Sequence, residues 1–256
     1  CLIHNSWSSN SEWPYDWSGL CSVSAFQPAT KIELQTAVNL WVDDNASALS
    51  TYGEINTWDV SLITDMSDLF LNNHTFNDDI GNWDVSNVTT MRNMFRYNLV
   101  FNQDIGQWDV SKVTNMIAMF YHAYIFNQDI SSWDVSSLTN ASYIFSDASS
   151  FNQDISTWDV SSLTNASYMF TDASSFNQDI SAWDVSNVNL IDDIFLNANA
   201  LSDENKCSIH NSFSINDNWP YDWSDLCFQP QNNGELHTAV CLLYTSPSPR
   251  DQRGSR

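Results

Sequence analysis

Apolar residues return along this chain on a fixed step of 25 positions. Trp58, Trp83, Trp108, Trp133, Trp158 and Trp183 keep the step without insertion or deletion, as do Phe70, Phe95, Phe120, Phe145, Phe170 and Phe195. Two finer patterns alternate inside each period. Val113, Met116, Met119, Phe120 and Ala123 fall at i, i+3, i+6, i+7 and i+10, which predicts a helix of about three turns with one apolar stripe. Ser111 precedes the stripe, and serine recurs there in every period (Ser61, Ser86, Ser136, Ser161, Ser186). It is placed to cap the helix, with Asp109 near the positive end of the helix dipole. Upstream, Ile105, Trp108, Val110 and Val113 predict a short strand with Trp108 and Val110 facing inward and Asp109 outward. Phe101 and Asn102 fall on the return loop, where an asparagine can bond to backbone left open by a turn.

A three-turn helix is too short to stand alone, and no single period can bury its own apolar face. Laying each period on a near-copy, Trp on Trp and Phe on Phe, supplies the missing core. The Ile-x-x-Trp-x-Val spacing is that of leucine-rich repeats. The expected fold class is therefore α/β: a right-handed leucine-rich-repeat-like solenoid of about six 25-residue coils, each a short parallel strand plus a short helix. Solenoid ends need covering. "KIELQTAVNLWV" (31–42), with Leu34, Ala37, Val38 and Trp41 on one helical face, is the expected cap at the leading end, and "LSDENK" (201–206) breaks the pattern at the other. Ala141 and Ala166 stand where other periods have Met, which thins the core there.

A longer repeat encloses this one. "CLIHNSWSSNSEWPYDWSGLC" (1–21) returns as "CSIHNSFSINDNWPYDWSDLC" (207–227), and "ELQTAV" (33–38) as "ELHTAV" (235–240). The chain reads as one long unit and the start of another, a piece of a tandem array. Five stretches result: a small disulfide module (1–29), a capping helix and opening coil (30–57), the repeats (58–206), a second module with the start of the next unit (207–240), and a foreign tail (241–256). Cys1 with Cys21 and Cys207 with Cys227 suggest one disulfide per module, hence an oxidising compartment. The rival is zinc, but Cys1, His4 and Cys21 leave a structural site one ligand short. In "WPYDW", Trp13, Tyr15 and Trp17 recur as Trp219, Tyr221 and Trp223. They form either an aromatic platform for carbohydrate or the packing of a module with little core of its own.

"FNQDISSWDVSSLTNASYIF" (126–145) and its siblings resemble the BspA-like family of surface proteins, over about 50–205 and through the pattern W-D-V-S-x-V-T-x-M-x-x-M-F. "LSTYGEINTWDVSLITDMSDLF" (49–70) is similar to the opening coil of that family. The resemblance implies an extracellular, non-catalytic surface for adhesion to protein or glycan partners. The cysteine modules are not part of it. The last sixteen residues, "CLLYTSPSPRDQRGSR", resemble the translation of a sequencing-library adapter and are left out of the fold reasoning.

The formal net charge of −23 argues against nucleic-acid partners and against an anionic membrane surface. No apolar run is long enough to span a bilayer. On the predicted strands Asp59, Asp84, Asp109, Asp134, Asp159 and Asp184 form one outward column, flanked by Asn82, Gln107, Ser132 and Thr157, with Thr57 and Ala182 at its ends. A second acidic column (Asp79, Asp104, Asp129, Asp154, Asp179) runs along the loops. Three readings stand: helix caps on a solvated face, calcium binding through oxygen ligands, or recognition of a basic partner. Asn45, Asn73, Asn87, Asn140 and Asn165 open glycosylation tripeptides. His74 and His122 sit at non-equivalent places, and many equal carboxylates offer no unlike constellation of the kind catalysis needs, so an enzyme is not expected.

Overall fold

The computed structural model describes residues 25–228. It opens with helices α1 (Lys31–Asp43) and α2 (Asn45–Tyr52) and a 3-10 turn, η1 (Ile55–Thr57); it closes with α3 (Asp203–Phe213) and η2 (Ser224–Phe228). Thr30 caps α1 in a reciprocal box with Glu33, and the helix buries Leu34, Ala37, Val38 and Trp41.

Between Trp58 and Leu201 there is neither a helix nor a named strand, which overturns the expected leucine-rich-repeat-like α/β solenoid. Among the described residues the strand-type pairing between coils is reduced to isolated parallel bridges, in a row through Asp65, Thr90, Asn115, Asn140, Asn165 and Leu190. The stripe Val113, Met116, Met119, Phe120 and Ala123 is nonetheless fully buried, so the periodicity identified the inward side chains. The backbone bonds differ. The N–H groups of Met116, Ala118, Phe120 and His122 donate to Asn140, Ser142, Ile144 and Ser146 of the next coil at 2.8–3.0 Å. The intervening N–H groups of Met119, Tyr121 and Ala123 close turns onto Met116, Ala118 and Phe120. Two residues per coil, here Ala118 (φ 53°) and His122 (φ 59°), lie in the left-handed region, which no continuous right-handed helix accommodates. Ser111 therefore caps no helix. Its N–H is held by Asp109 Oδ1 at 3.1 Å, an Asx turn.

Each coil lies on its neighbour through repeated columns. Phe70, Phe95, Phe120, Phe145, Phe170 and Phe195 stack with ring centroids 5.4–5.8 Å apart, each of the first five paired with a second phenylalanine of its coil at 3.8–4.1 Å. Trp58 stacks on Trp83 at 6.3 Å, Trp133 on Trp158 at 6.4 Å and Trp158 on Trp183 at 6.3 Å. The buried indole N–H also reaches back one coil. Trp83, Trp108, Trp133, Trp158 and Trp183 donate to the carbonyls of Ile55, Ile80, Ile105, Ile130 and Ile155 at 2.8–3.3 Å. Asn102 does reach open backbone, but in the next coil: its Oδ1 accepts from Asn127 N–H at 2.9 Å. Asn127 and Asn152 repeat the bond. The smaller Ala141 and Ala166 are buried like the methionines they replace.

The turn ladder has a polarity: Thr114 N–H and its equivalents donate back to the preceding coil, but the inter-coil N–H groups from Met116 to His122, and their equivalents, point toward the C-terminal end. The first coil therefore offers carbonyls without a preceding partner, and the last offers N–H groups without a following one. At the leading end Gln35 of α1 donates to Leu69 O at 2.9 Å. At the far end Phe195 N–H donates to the Tyr221 hydroxyl at 3.0 Å, while Asn216 Nδ2 donates to Val185 O and Val188 O. Cys207 and Cys227 are disulfide-bonded, with Cα atoms 4.9 Å apart, holding η2 to α3. Cys1 and Cys21 lie outside the described residues.

Candidate binding cleft

The two acidic columns are built into the turns. In all six copies the serine two positions on donates its N–H to the aspartate Oδ1 at 3.0–3.1 Å (Asp59 with Ser61 through Asp184 with Ser186). Asp79, Asp104, Asp129, Asp154 and Asp179 do the same with Gly81, Gly106, Ser131, Ser156 and Ser181. Hydrogen bonds from the serine hydroxyl and N–H hold Asp59, Asp109, Asp159 and Asp184 below the ordinary carboxylate range. Asp159 raises Asp184, and Asp129 raises Asp154, yet the serine bonds outweigh that repulsion. The expected sheet face is thus corrected to a row of Asx turns, since no sheet forms among the described residues. Two of its flanking side chains are engaged in the same way, Ser132 Oγ donating to Gly106 O and Thr157 Oγ1 to Ser131 O, while at Asn82 the backbone N–H donates to Asn56 Oδ1. Gln107 is exposed. Among the described residues no three His, Cys, Asp or Glu side chains converge as a metal site would need.

The second "WPYDW" is no free platform. Trp219, Tyr221 and Trp223 are half-buried and pack against Phe195, closing the stack. Trp219 Nε1 donates to His210 Nδ1 at 3.2 Å, so His210 is a packing partner. Burial pushes the Tyr221 phenol up to about 12. Trp13, Tyr15 and Trp17 lie outside the described residues.

The turn-ladder face is where the copies differ. Its left-handed positions are Asp68, Asn93, Ala118, Tyr143, Tyr168 and Asp193 in one column, and Asn72, Tyr97, His122, Asp147, Asp172 and Asn197 in the other. Aspartate and asparagine tolerate this backbone best; a tyrosine there is strained by roughly 1–2 kcal/mol. The departures fall together in the middle coils. Tyr97 stacks on His122 at 4.6 Å, and Tyr143 on Tyr168 at 4.6 Å. Arg96 lies 5.3 Å from the Tyr97 ring centre and 5.1 Å from that of Tyr121. His122 reaches the Tyr124 hydroxyl at 2.9 Å and Asp147 Oδ2 at 3.5 Å.

Arg92, Asn93, Arg96, Ile117, Ala118, Tyr121 and Tyr143 enclose a cleft of about 360 Å³. Burial, with Tyr97 next in weight, raises the Tyr121 phenol; burial also raises Tyr143 and the Asp147 carboxyl. A larger cleft of about 600 Å³, between Phe26 and residues 49–57, is lined by no charged side chain. The sequence signal for the tyrosine–arginine cleft was present but unread. It lies in the residues that break the repeat at equivalent positions, and these surface in space only once the coils are stacked.

Two overlapping stretches, 41–154 and 107–209, match a family described as "Mycoplasma protein of unknown function, DUF285". No curated protein and no solved structure matches the chain. Among the described residues no helix is long and apolar enough to cross a membrane.

Proposed function

We propose that this chain, which belongs to the DUF285 family, is a non-catalytic extracellular repeat protein that binds a protein or glycan partner through the tyrosine–arginine cleft. The finer likeness to BspA-like surface proteins, through the W-D-V-S-x-V-T-x-M-x-x-M-F pattern, belongs to the same reading. The Cys207–Cys227 disulfide supports an oxidising location. The observation that carries the proposal is the strain. Tyr143 in the cleft wall, Tyr168 stacked on it, and Tyr97, whose ring lies against Arg96 of the cleft, occupy left-handed backbone positions at which most other coils have aspartate or asparagine. Strained residues that gather at one place are a mark of function.

The test is a trade-off between stability and binding. Tyr97→Asn and Tyr143→Asn should each fold with a thermal midpoint at or above that of the parent, since relief of backbone strain offsets the lost stacking of about 0.5–1.5 kcal/mol. Both should lose binding on arrays of glycans and peptides. Array binding that persists unchanged in both variants would remove the cleft from the function.

A further inference from the structure

We infer that the cleft recognises a carboxylate carried on a sugar ring, a uronate-type pyranose. The inference rests on the binding role proposed above and names the ligand class.

Basic groups are scarce in this acidic chain, and among the described residues most are engaged. Lys31 pairs with Asp65, Lys206 with Asp203, and Lys112 donates to Asn87 Oδ1. Arg92 and Arg96, the two arginines of the described residues, form no salt bridge there and line the same cleft. Arg96 has its Nε buried without a hydrogen-bond partner, and its one side-chain bond is a long one to Asn93 Oδ1 at 3.5 Å. A guanidinium held beside two tyrosine rings, without a carboxylate partner, has its Nη donors to offer to a planar anion. No carboxylate pairs with it: Asp68 of the preceding coil accepts from Asn93 Nδ2, and Asp147 faces His122.

The neighbouring surface selects the body of the ligand. Tyr121 and Tyr143 present aromatic rings beside the guanidinium, and Tyr143 is 37% exposed. Such rings stack on the apolar face of a pyranose. The cleft volume is near the lower end for small-ligand sites, suiting one ring better than an extended chain. The net charge of −23 repels polyanions at long range, which favours a ligand with a single carboxylate.

The probes are methyl glucuronide, its neutral methyl ester, methyl glucoside, and a capped glutamate peptide, with affinity read by ligand-observed NMR on the full chain. Methyl glucuronide should bind about tenfold more tightly than its ester, the worth of one charge-assisted contact. Arg92→Gln, at an exposed position, and Arg96→Gln should each reduce that preference toward unity, while Tyr143→Asn weakens acid and ester alike. Equal affinity for acid and ester, abolished by Tyr143→Asn, would overturn carboxylate recognition and leave the binding cleft standing. Binding of the glutamate peptide without the glucuronide would overturn the sugar assignment. If no probe binds while array binding still depends on Tyr97 and Tyr143, the ligand class is wrong; if array binding ignores the tyrosines, the cleft itself is.

Discussion

The tryptophan side of each coil and the turn-ladder side of the middle coils are made by the same repeat, and they answer to different demands. On the tryptophan side the recurring polar groups bond to one another: indole N–H to isoleucine carbonyl, the serine N–H to the aspartate two residues before it, asparagine to the next coil's backbone. On the turn-ladder side the backbone is equally satisfied, but side chains depart from the repeat and accept strain, as at Tyr97 and Tyr143. Repetition is the sign of architecture in this protein, and its local failure is where we propose the site.

The contrast is open to attack from several directions. The largest effect should come from the core: Phe120→Ala removes one ring from two stacks and should cost about 3–5 kcal/mol in a denaturant titration. A loss as small as that of Tyr143→Asn would erase the distinction between the two sides.

A smaller effect tests the far cap. The Tyr221 phenol titrates near 10 when unfolded and at about 12 when folded. Its contribution is therefore complete below pH 10 and is lost as pH rises through 12, by about 1–2 kcal/mol after allowance for solvent screening. Tyr221→Phe should flatten this alkaline limb of the melting curve while lowering stability at neutral pH through the unpaired Phe195 N–H.

The smallest effect concerns the acidic columns. Asp109→Asn keeps the Asx-turn acceptor and removes a charge, so stability at pH 7 should move by no more than about 0.5 kcal/mol. Because the folded carboxyl titrates below its ordinary range, its stabilisation is present above about pH 4 and fades as pH falls through the lowered value. The variant should lose part of that acid dependence. Asp147, raised by burial, runs the other way and gains relative stability on protonation. A large loss in Asp109→Asn would mean that the carboxylate does something beyond holding its turn.

The sequence by itself determined which side chains meet. The 25-residue step placed Trp on Trp and Phe on Phe, and the spacing of Val113, Met116, Met119 and Phe120 named the inward face. The same reasoning found the buried face of α1, because a helix that satisfies its own backbone declares itself locally. What it mistook was the backbone of the coils. A stripe at three- and four-residue spacing fits an α-helix and equally fits a run of turns, since periodicity records the direction of side chains and is silent about the partner of each N–H. Those partners lie 24 positions away, in the next coil, and only stacking supplies them. The cleft is a tertiary product for the same reason: Arg96, Tyr121 and Tyr143 are separated by 25 and 22 residues and become neighbours when three coils lie one on another.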